Sequence, residues 1–140
     1  IVKVAKKIAH RYNREGDLVF QVNDFIIRAN EQWFHFALNE LIDNAFKFSA
    51  PGQPVSIQAE LKTDFVELTI RDEGTGFPER SIEKINAFVQ FDRKILEQQG
   101  IGLGLFLSKR IVLLENGDFQ IMSSRNGGTV IKIKLPLVTN

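Results

Sequence analysis

The chain has 140 residues, 44% of them hydrophobic, with 18 basic and 17 acidic side chains, two histidines and no cysteine. This length and composition predict a single compact domain, residues 1–140, with a sizeable core. The net charge of +1 leaves no overall field that would recruit nucleic acid or an anionic membrane. The lack of cysteine excludes disulfides and thiolate metal sites, and two histidines disfavour a zinc site.

The sequence shows neither a membrane anchor nor an export signal. No apolar run approaches the roughly 20 residues that span a bilayer, and no signal-peptide pattern opens the chain. The first residue is Ile1 rather than Met, so we expect the chain to be a piece of a longer protein.

The first part of the chain is predicted to form a helix and two short strands. Apolar residues recur at helical spacing within residues 1–14, and Gly16 is expected to end this helix. Residues 18–22 and 25–29 are short strand candidates, separated by a turn pair.

The next elements are a long helix and a hairpin. Asn30 is the expected N-cap of a helix over residues 31–48, and alternating apolar residues predict strands at 54–61 and 66–72.

The last part contains a polar segment, a helix and a second hairpin. Residues 78–100 carry only scattered apolar side chains and are predicted to form a mobile lid with a short helix. The sequence "GIGLGL" then opens an apolar helix through about Leu114, followed by strands at 118–124 and 128–137. This order predicts an α/β two-layer sandwich, a mixed, mostly antiparallel sheet covered on one face by helices.

Three polar residues form a stripe on the long helix. Glu40, Asn44 and Lys47 are spaced four and three apart, beside the face expected to be buried. Together they could position a proton acceptor, an oxygen ligand for Mg²⁺ and a cation for phosphate. On this helix alone, an ordinary solvated face is the stronger interpretation.

Asp72 takes the inward phase of a core strand, where Val66, Leu68 and Ile70 precede it. A buried carboxylate is costly unless it is hydrogen-bonded, so its position implies a donor. The donor could be an exocyclic amine of a flat heterocycle lying against Gly74 and Gly76, which have no Cβ. A turn in which Asp72 caps its own backbone is an equally good interpretation.

Two further features could belong to the same pocket. Thr129 shares the inward phase of the last strand and begins it, as Asp72 ends its own strand. The three alternate glycines of "GIGLGL" present free N–H groups to an anion, although this is a weak signal by itself. In the helix that follows, Lys109 and Arg110 are expected to form the solvated face.

These pieces, in this order, resemble the ATP-binding catalytic domain of sensor histidine kinases. The domain belongs to a superfamily, with the Bergerat fold, that includes type II topoisomerase and heat-shock chaperone ATPases. "LNELIDNAFKFS" resembles the N box, "DEGTGFP" the G1 box, "FVQF" the F box and "GIGLGL" the G2 box. The match covers roughly residues 30–137, and the combination is highly specific although each motif is not.

The resemblance implies ATP and Mg²⁺ as ligands. Asp72 would accept a hydrogen bond from the adenine amino group beside Thr129, Asn44 would hold Mg²⁺, and Lys47 would approach a phosphate. The other residues implied in nucleotide contact are Phe48 and Phe77 at the base, Gly74 and Gly76 under the ring, Arg93 toward the γ-phosphate, and Gly100, Ile101, Gly102, Leu103, Gly104 and Leu105 around the triphosphate. Phe88 and Phe91 would pin the lid, and Lys94 is the alternative to Arg93.

The N box departs from the kinase pattern at Glu40, where many of these kinases carry Asn. The topoisomerase and chaperone relatives have Glu there, which polarises a water. We therefore weigh two roles for Glu40: a base toward an incoming histidine, which we favour, or the water-activating base of an ATP-hydrolysing enzyme.

The phosphoacceptor segment of such kinases has no counterpart in this sequence. His10 and His35 do not fit its pattern and are expected at the surface. The resemblance thus implies a protein-histidine kinase domain that needs a phosphoacceptor histidine domain of the same protein and a response regulator receiver domain. It also implies a cytoplasmic, monomeric fragment whose parent could be membrane-anchored. A nucleotide-dependent binding module or degenerate kinase is a further alternative.

Overall fold

A computed structural model describes residues 1–86, 103–123 and 125–138. Within them lie four helices, one 3₁₀ turn and five strands. In chain order these are α1 (Val2–Arg11), the 3₁₀ turn Glu15–Asp17, β1 (Leu18–Val22), α2 (Glu31–Phe48), β2 (Val55–Leu61), β3 (Phe65–Asp72), α3 (Glu79–Asn86), α4 (Leu103–Leu114), β4 (Asp118–Ser123) and β5 (Thr129–Pro136).

The five strands form one mixed sheet in the order β1-β2-β3-β5-β4. β1 pairs with β2 in parallel, and the other three pairings are antiparallel. The register of β3 and β5 sets Asp72 directly opposite Thr129. The end of one strand and the beginning of its neighbour therefore meet at one edge of the sheet.

Alternation along the strands separates a buried face from a polar one. In β3, every second residue from Val66 is buried, and β5 alternates in the same way from Thr129. The helices cover the apolar face, where six residues of α2 are buried: Ala37, Leu38, Leu41, Ile42, Ala45 and Phe46. The predicted two-layer α/β sandwich is confirmed.

The beginning and end of α2 are fixed by side chains. Asn30 Oδ1 accepts a hydrogen bond from the Trp33 N–H at 3.1 Å, which confirms the predicted N-cap. At the other end the buried Arg14 guanidinium donates to the carbonyl oxygens of Phe46 and Ser49 at 2.9 and 3.1 Å. Arg14 thus satisfies carbonyl groups that the helix leaves without an internal partner.

Two predictions near the N-terminus were wrong, one about a strand and one about where a helix ends. Residues 25–29 do not form a strand, because Ile27 makes only an isolated bridge to Leu137 and Ile26 is 76% exposed. The first helix ends at Arg11 rather than at Gly16, because Asn13 adopts a left-handed backbone with φ of 53°.

The segment after Pro78 is held more firmly at its start than its composition suggested. Ile82 and Ile85 of α3 are buried in the core. Lys109 is also buried, and its ammonium donates to the Ile85 carbonyl oxygen at 2.5 Å. The expectation that Lys109 lies on a solvated face was therefore wrong, whereas Arg110 is exposed. Burial lowers the pKa of the Lys109 amine.

Among the described residues, no helix has the length and apolar character needed to cross a membrane.

Candidate functional site

A pocket opens where α2, the end of β3, the loop after it, α4 and the start of β5 meet. We call it the Asp72 pocket, and it is lined by Leu41, Asn44, Ala45, Phe48, Ile70, Asp72, Gly76, Phe77, Leu105, Thr129 and Ile131. Most of its wall is apolar, and its polar groups come from three different elements. The chemistry of this lining suits a flat apolar ligand with a few polar edge atoms. The open volume is about 10 Å³, so the walls must move apart to admit such a ligand.

Asp72 and Thr129 lie side by side in this pocket, and each is only 6% exposed. The Gly74 N–H donates to Asp72 Oδ1 at 2.9 Å. Burial raises the pKa of Asp72 and outweighs the opposite effect of the Gly74 and Thr129 backbone amides. A carboxylate offers about four acceptor positions, so the bond from Gly74 leaves capacity for a ligand.

Both interpretations of Asp72 from the sequence thus find support. The carboxylate caps its own loop through Gly74, as the turn interpretation expected. It also lines a pocket with Thr129, as the ligand interpretation expected.

The loop after Asp72 is packed tightly against its surroundings. A methyl group on Gly74 would collide with the backbone carbonyl of Phe48, and Thr75 N–H donates to that same carbonyl oxygen at 3.1 Å. Gly74 therefore has a structural reason to be glycine, since it lets the loop approach α2. Gly76 has φ of 65° and does line the pocket.

Gly128 is a second close approach, which sequence reasoning did not single out. Its φ is 74°, and a methyl group on it would collide with the carbonyl oxygen of Asp72. Its N–H donates to the Gly74 carbonyl oxygen at 3.1 Å. The turn between β4 and β5 is thereby fixed against the loop that follows Asp72.

Ser123 was also missed. Its hydroxyl lies 2.7 Å from the Phe77 backbone nitrogen, 2.8 Å from the Gly128 carbonyl oxygen and 3.1 Å from Thr129 Oγ1. Phe119 and Ile121 of the same strand are buried, and Ser123 shares their phase. The same signal that drew attention to Asp72 and Thr129, a polar residue in core phase at a strand end, could have identified it.

The polar stripe of α2 reaches the pocket at Asn44. Asn44 and Phe48 both line the pocket. Lys47 Nζ lies 5.4 Å from the centre of the Phe48 ring. The Glu40 carboxylate reaches from α2 to the first turn of α4, where a methyl group on Gly104 would collide with it. The glycine at 104 therefore lets the carboxylate approach the first turn of that helix.

Several predicted contact residues fall outside the described part of the chain. They are Phe88, Phe91, Arg93, Lys94, Gly100, Ile101 and Gly102. Leu103 begins α4 and is partly buried, and Leu105 is buried in the pocket wall.

The donors available to a metal ion are few. Among residues 1–86, 103–123 and 125–138, no three His, Cys, Asp or Glu side chains are grouped to hold one. Mg²⁺ bound to a nucleotide needs only one or two protein oxygens, because phosphates and water supply the rest. The amide of Asn44 fits this requirement.

A second opening lies along the N-terminal half of α2, and we call it the apolar groove. It is lined by Ile1, Val4, Phe25, Ile26, Ile27, Ala29, Glu31, Phe34, His35 and Leu38. His35 and His10 are exposed, as predicted.

Residues 29–139 match the family model described as histidine kinase-, DNA gyrase B- and HSP90-like ATPase. This match spans most of the chain. The chain belongs to this ATPase family.

Relatives within the ATPase family are sensor histidine kinases. The chain is 28% identical to the sensor histidine kinase SpaK of Bacillus subtilis over 132 residues, which cover 92% of the chain and 29% of SpaK. The mycobacterial sensor histidine kinase MprB has a structure that matches with a TM-score of 0.70 at 26% identity, covering 97% of this chain and 95% of that one. The catalytic domain of histidine kinase ThkA matches with a TM-score of 0.71 at 20% identity, covering 98% and 92%, and supports the fold alone.

The resemblance to the ATP-binding catalytic domain of histidine kinases is therefore confirmed. The chain spans less than a third of the length of SpaK.

Proposed function

We propose that the Asp72 pocket binds the adenine of Mg-ATP and that the domain transfers the γ-phosphate to a histidine on a separate phosphoacceptor domain of the same protein. The observation that carries the proposal is the pairing of Asp72 with Thr129 in one apolar pocket beside the polar stripe of α2. ATP is an amphipathic ligand, and this arrangement offers an apolar wall to its base and polar groups to its phosphates.

Each polar residue has a separate task in this proposal. Asp72 accepts a hydrogen bond from the adenine amino group, and Phe48 and Phe77 enclose the ring with Gly76. Lys47 supplies positive charge to the phosphates. Asn44 would hold Mg²⁺, and the ion would supply charge neutralisation at the phosphates. Catalysis then comes mainly from positioning and charge neutralisation.

Glu40 is proposed as the base toward the incoming histidine. When an imidazole nitrogen attacks the γ-phosphorus, the bond to the β-phosphate oxygen breaks, ADP leaves, and a proton of the imidazole passes to Glu40. The partly buried carboxylate lies at the start of α4, one turn before Asn44 on α2. It is therefore on the helix that carries the proposed metal ligand and phosphate-binding residue.

We predict that Glu40→Gln slows phosphotransfer by about 100-fold, a common contribution of general-base catalysis, while ATP affinity changes little. Single-turnover transfer to an added phosphoacceptor domain and calorimetric ATP titration would measure the two quantities. Glu31→Gln, on the exposed first turn of the same helix, is the matched control. Unchanged transfer by Glu40→Gln would remove Glu40 from the mechanism.

The same carboxylate supports a second candidate function, ATP hydrolysis of the topoisomerase and chaperone type. The test is turnover by the isolated domain: repeated ATP hydrolysis that Glu40→Gln abolishes would favour it. A domain that binds ATP but neither hydrolyses it nor transfers phosphate would instead be a nucleotide-dependent binding module.

The proposed partners follow from the proposed reaction. A phosphorylated histidine would pass its phosphoryl group to a response regulator receiver domain. A cytoplasmic location and a monomeric state of the domain remain parts of this proposal, and analytical ultracentrifugation tests the latter.

A further inference from the structure

We infer that Ser123 is a specificity-determining residue that acts through Thr129: it fixes the direction of the Thr129 hydroxyl so that the Asp72 pocket accepts an amino group and rejects a keto oxygen. This inference rests on the proposed function, because it concerns how that pocket recognises a purine.

The hydrogen-bond partners of Ser123 determine where its own hydrogen goes. The Phe77 N–H can only donate, so at 2.7 Å Ser123 Oγ accepts from it. The Gly128 carbonyl can only accept, so at 2.8 Å the Ser123 hydroxyl donates to it. A hydroxyl has one hydrogen, and the Gly128 carbonyl takes it.

The remaining contact then fixes Thr129. Ser123 Oγ and Thr129 Oγ1 are 3.1 Å apart, and a hydrogen bond between them needs one hydrogen. Since the Ser123 hydrogen is used at Gly128, Thr129 must supply its own. The Thr129 hydroxyl therefore presents lone pairs, rather than its hydrogen, to the rest of its surroundings.

Two acceptors then stand side by side at the end of the pocket, the Asp72 carboxylate and the Thr129 oxygen. Both are 6% exposed, so water compensates poorly for a mismatched ligand atom. The amino group of adenine carries two hydrogens and suits two acceptors. A keto oxygen at the same ring position, as in inosine triphosphate, would face lone pairs.

The test is the ratio of affinities for ATP and inosine triphosphate, measured by calorimetry on the whole 140-residue chain. Ser123→Ala frees the Thr129 hydroxyl to rotate and donate to a keto oxygen. We expect the preference for ATP to fall about tenfold, the order expected for one mispaired buried hydrogen bond. Ser123→Thr keeps the hydroxyl and should restore the preference. A ratio within one sample is insensitive to the fraction of protein that is folded.

A double-mutant cycle with Thr129→Val identifies the route of the effect. If Ser123 acts through the Thr129 hydroxyl, Ser123→Ala changes the ratio in the native background and leaves it unchanged in Thr129→Val. An unchanged ratio in the native background, or an equal loss in both backgrounds, would overturn the inference. Failure of the native chain to bind ATP would instead overturn the proposed function, so the two failures are distinguishable.

Discussion

Asp72→Asn is expected to weaken ATP binding by at least about 100-fold without lowering the melting temperature. Asparagine has no negative charge, and its amide can turn an N–H toward the adenine amino group. A buried, charge-assisted hydrogen bond is then lost. This loss should cost roughly 3 kcal/mol or more of binding free energy. Calorimetric titration with ATP and thermal unfolding would measure the two effects. Retained affinity would refute the role assigned to this carboxylate.

The stability part of this expectation follows from the raised pKa of Asp72. The folded chain binds a proton at this site more readily than the unfolded chain does, so the ionised carboxylate lowers the free energy of unfolding. That free energy should therefore fall as the pH rises from the ordinary aspartate pKa through the raised one. Asp72→Asn should remove this component of the pH dependence. Glu67→Gln, on the same strand but on its opposite face, is the matched control and should preserve ATP affinity.

Gly128→Ala is expected to destabilise the fold by about 3 kcal/mol or more and to abolish ATP binding. The substitution combines a strained backbone at φ of 74° with a collision between the new methyl group and the Asp72 carbonyl oxygen. Relief of that collision must move either the turn or the strand end that carries Asp72. Chemical denaturation and ATP titration would measure both losses.

Gly52→Ala separates the two causes. Gly52 has φ of 87°, but a methyl group there meets no atom within 4 Å. It should cost only about 1 kcal/mol from backbone strain and leave ATP affinity unchanged. If Gly128→Ala lowered the free energy of unfolding no more than Gly52→Ala does, the close approach of Gly128 to the Asp72 carbonyl would not contribute to stability.

Much of the fold follows from periodicity in the sequence. Alternation predicted β2, β3 and β5, and the N-cap at Asn30 predicted the start of α2. The inward phases of Asp72 and Thr129 predicted two polar residues at one pocket before their register was known. Such local signals succeed because one buried face fixes the phase of each strand.

Other features depend on contacts between distant parts of the chain and left weaker signals. Arg14 reaches the end of α2 more than 30 residues away, and Gly128 is constrained by a carbonyl on another strand. Lys109 had a signal that was misread, because Leu105, Ser108 and Val112 place it on a buried helix face at helical spacing. The charge of Lys109 alone was a poor guide to its exposure, since a lysine can be buried when a carbonyl oxygen accepts a hydrogen bond from its ammonium.

The most direct measurement of the central claim is an NMR titration of the ¹⁵N-labelled chain with ATP and Mg²⁺. We predict that the amide resonances of Gly74, Gly76 and Thr129 shift with a common dissociation constant. Amides of the apolar groove, such as those of Ile27 and His35, should stay in place. Shifts in the groove with none at Gly74, Gly76 or Thr129 would contradict the assignment of the Asp72 pocket as the adenine site.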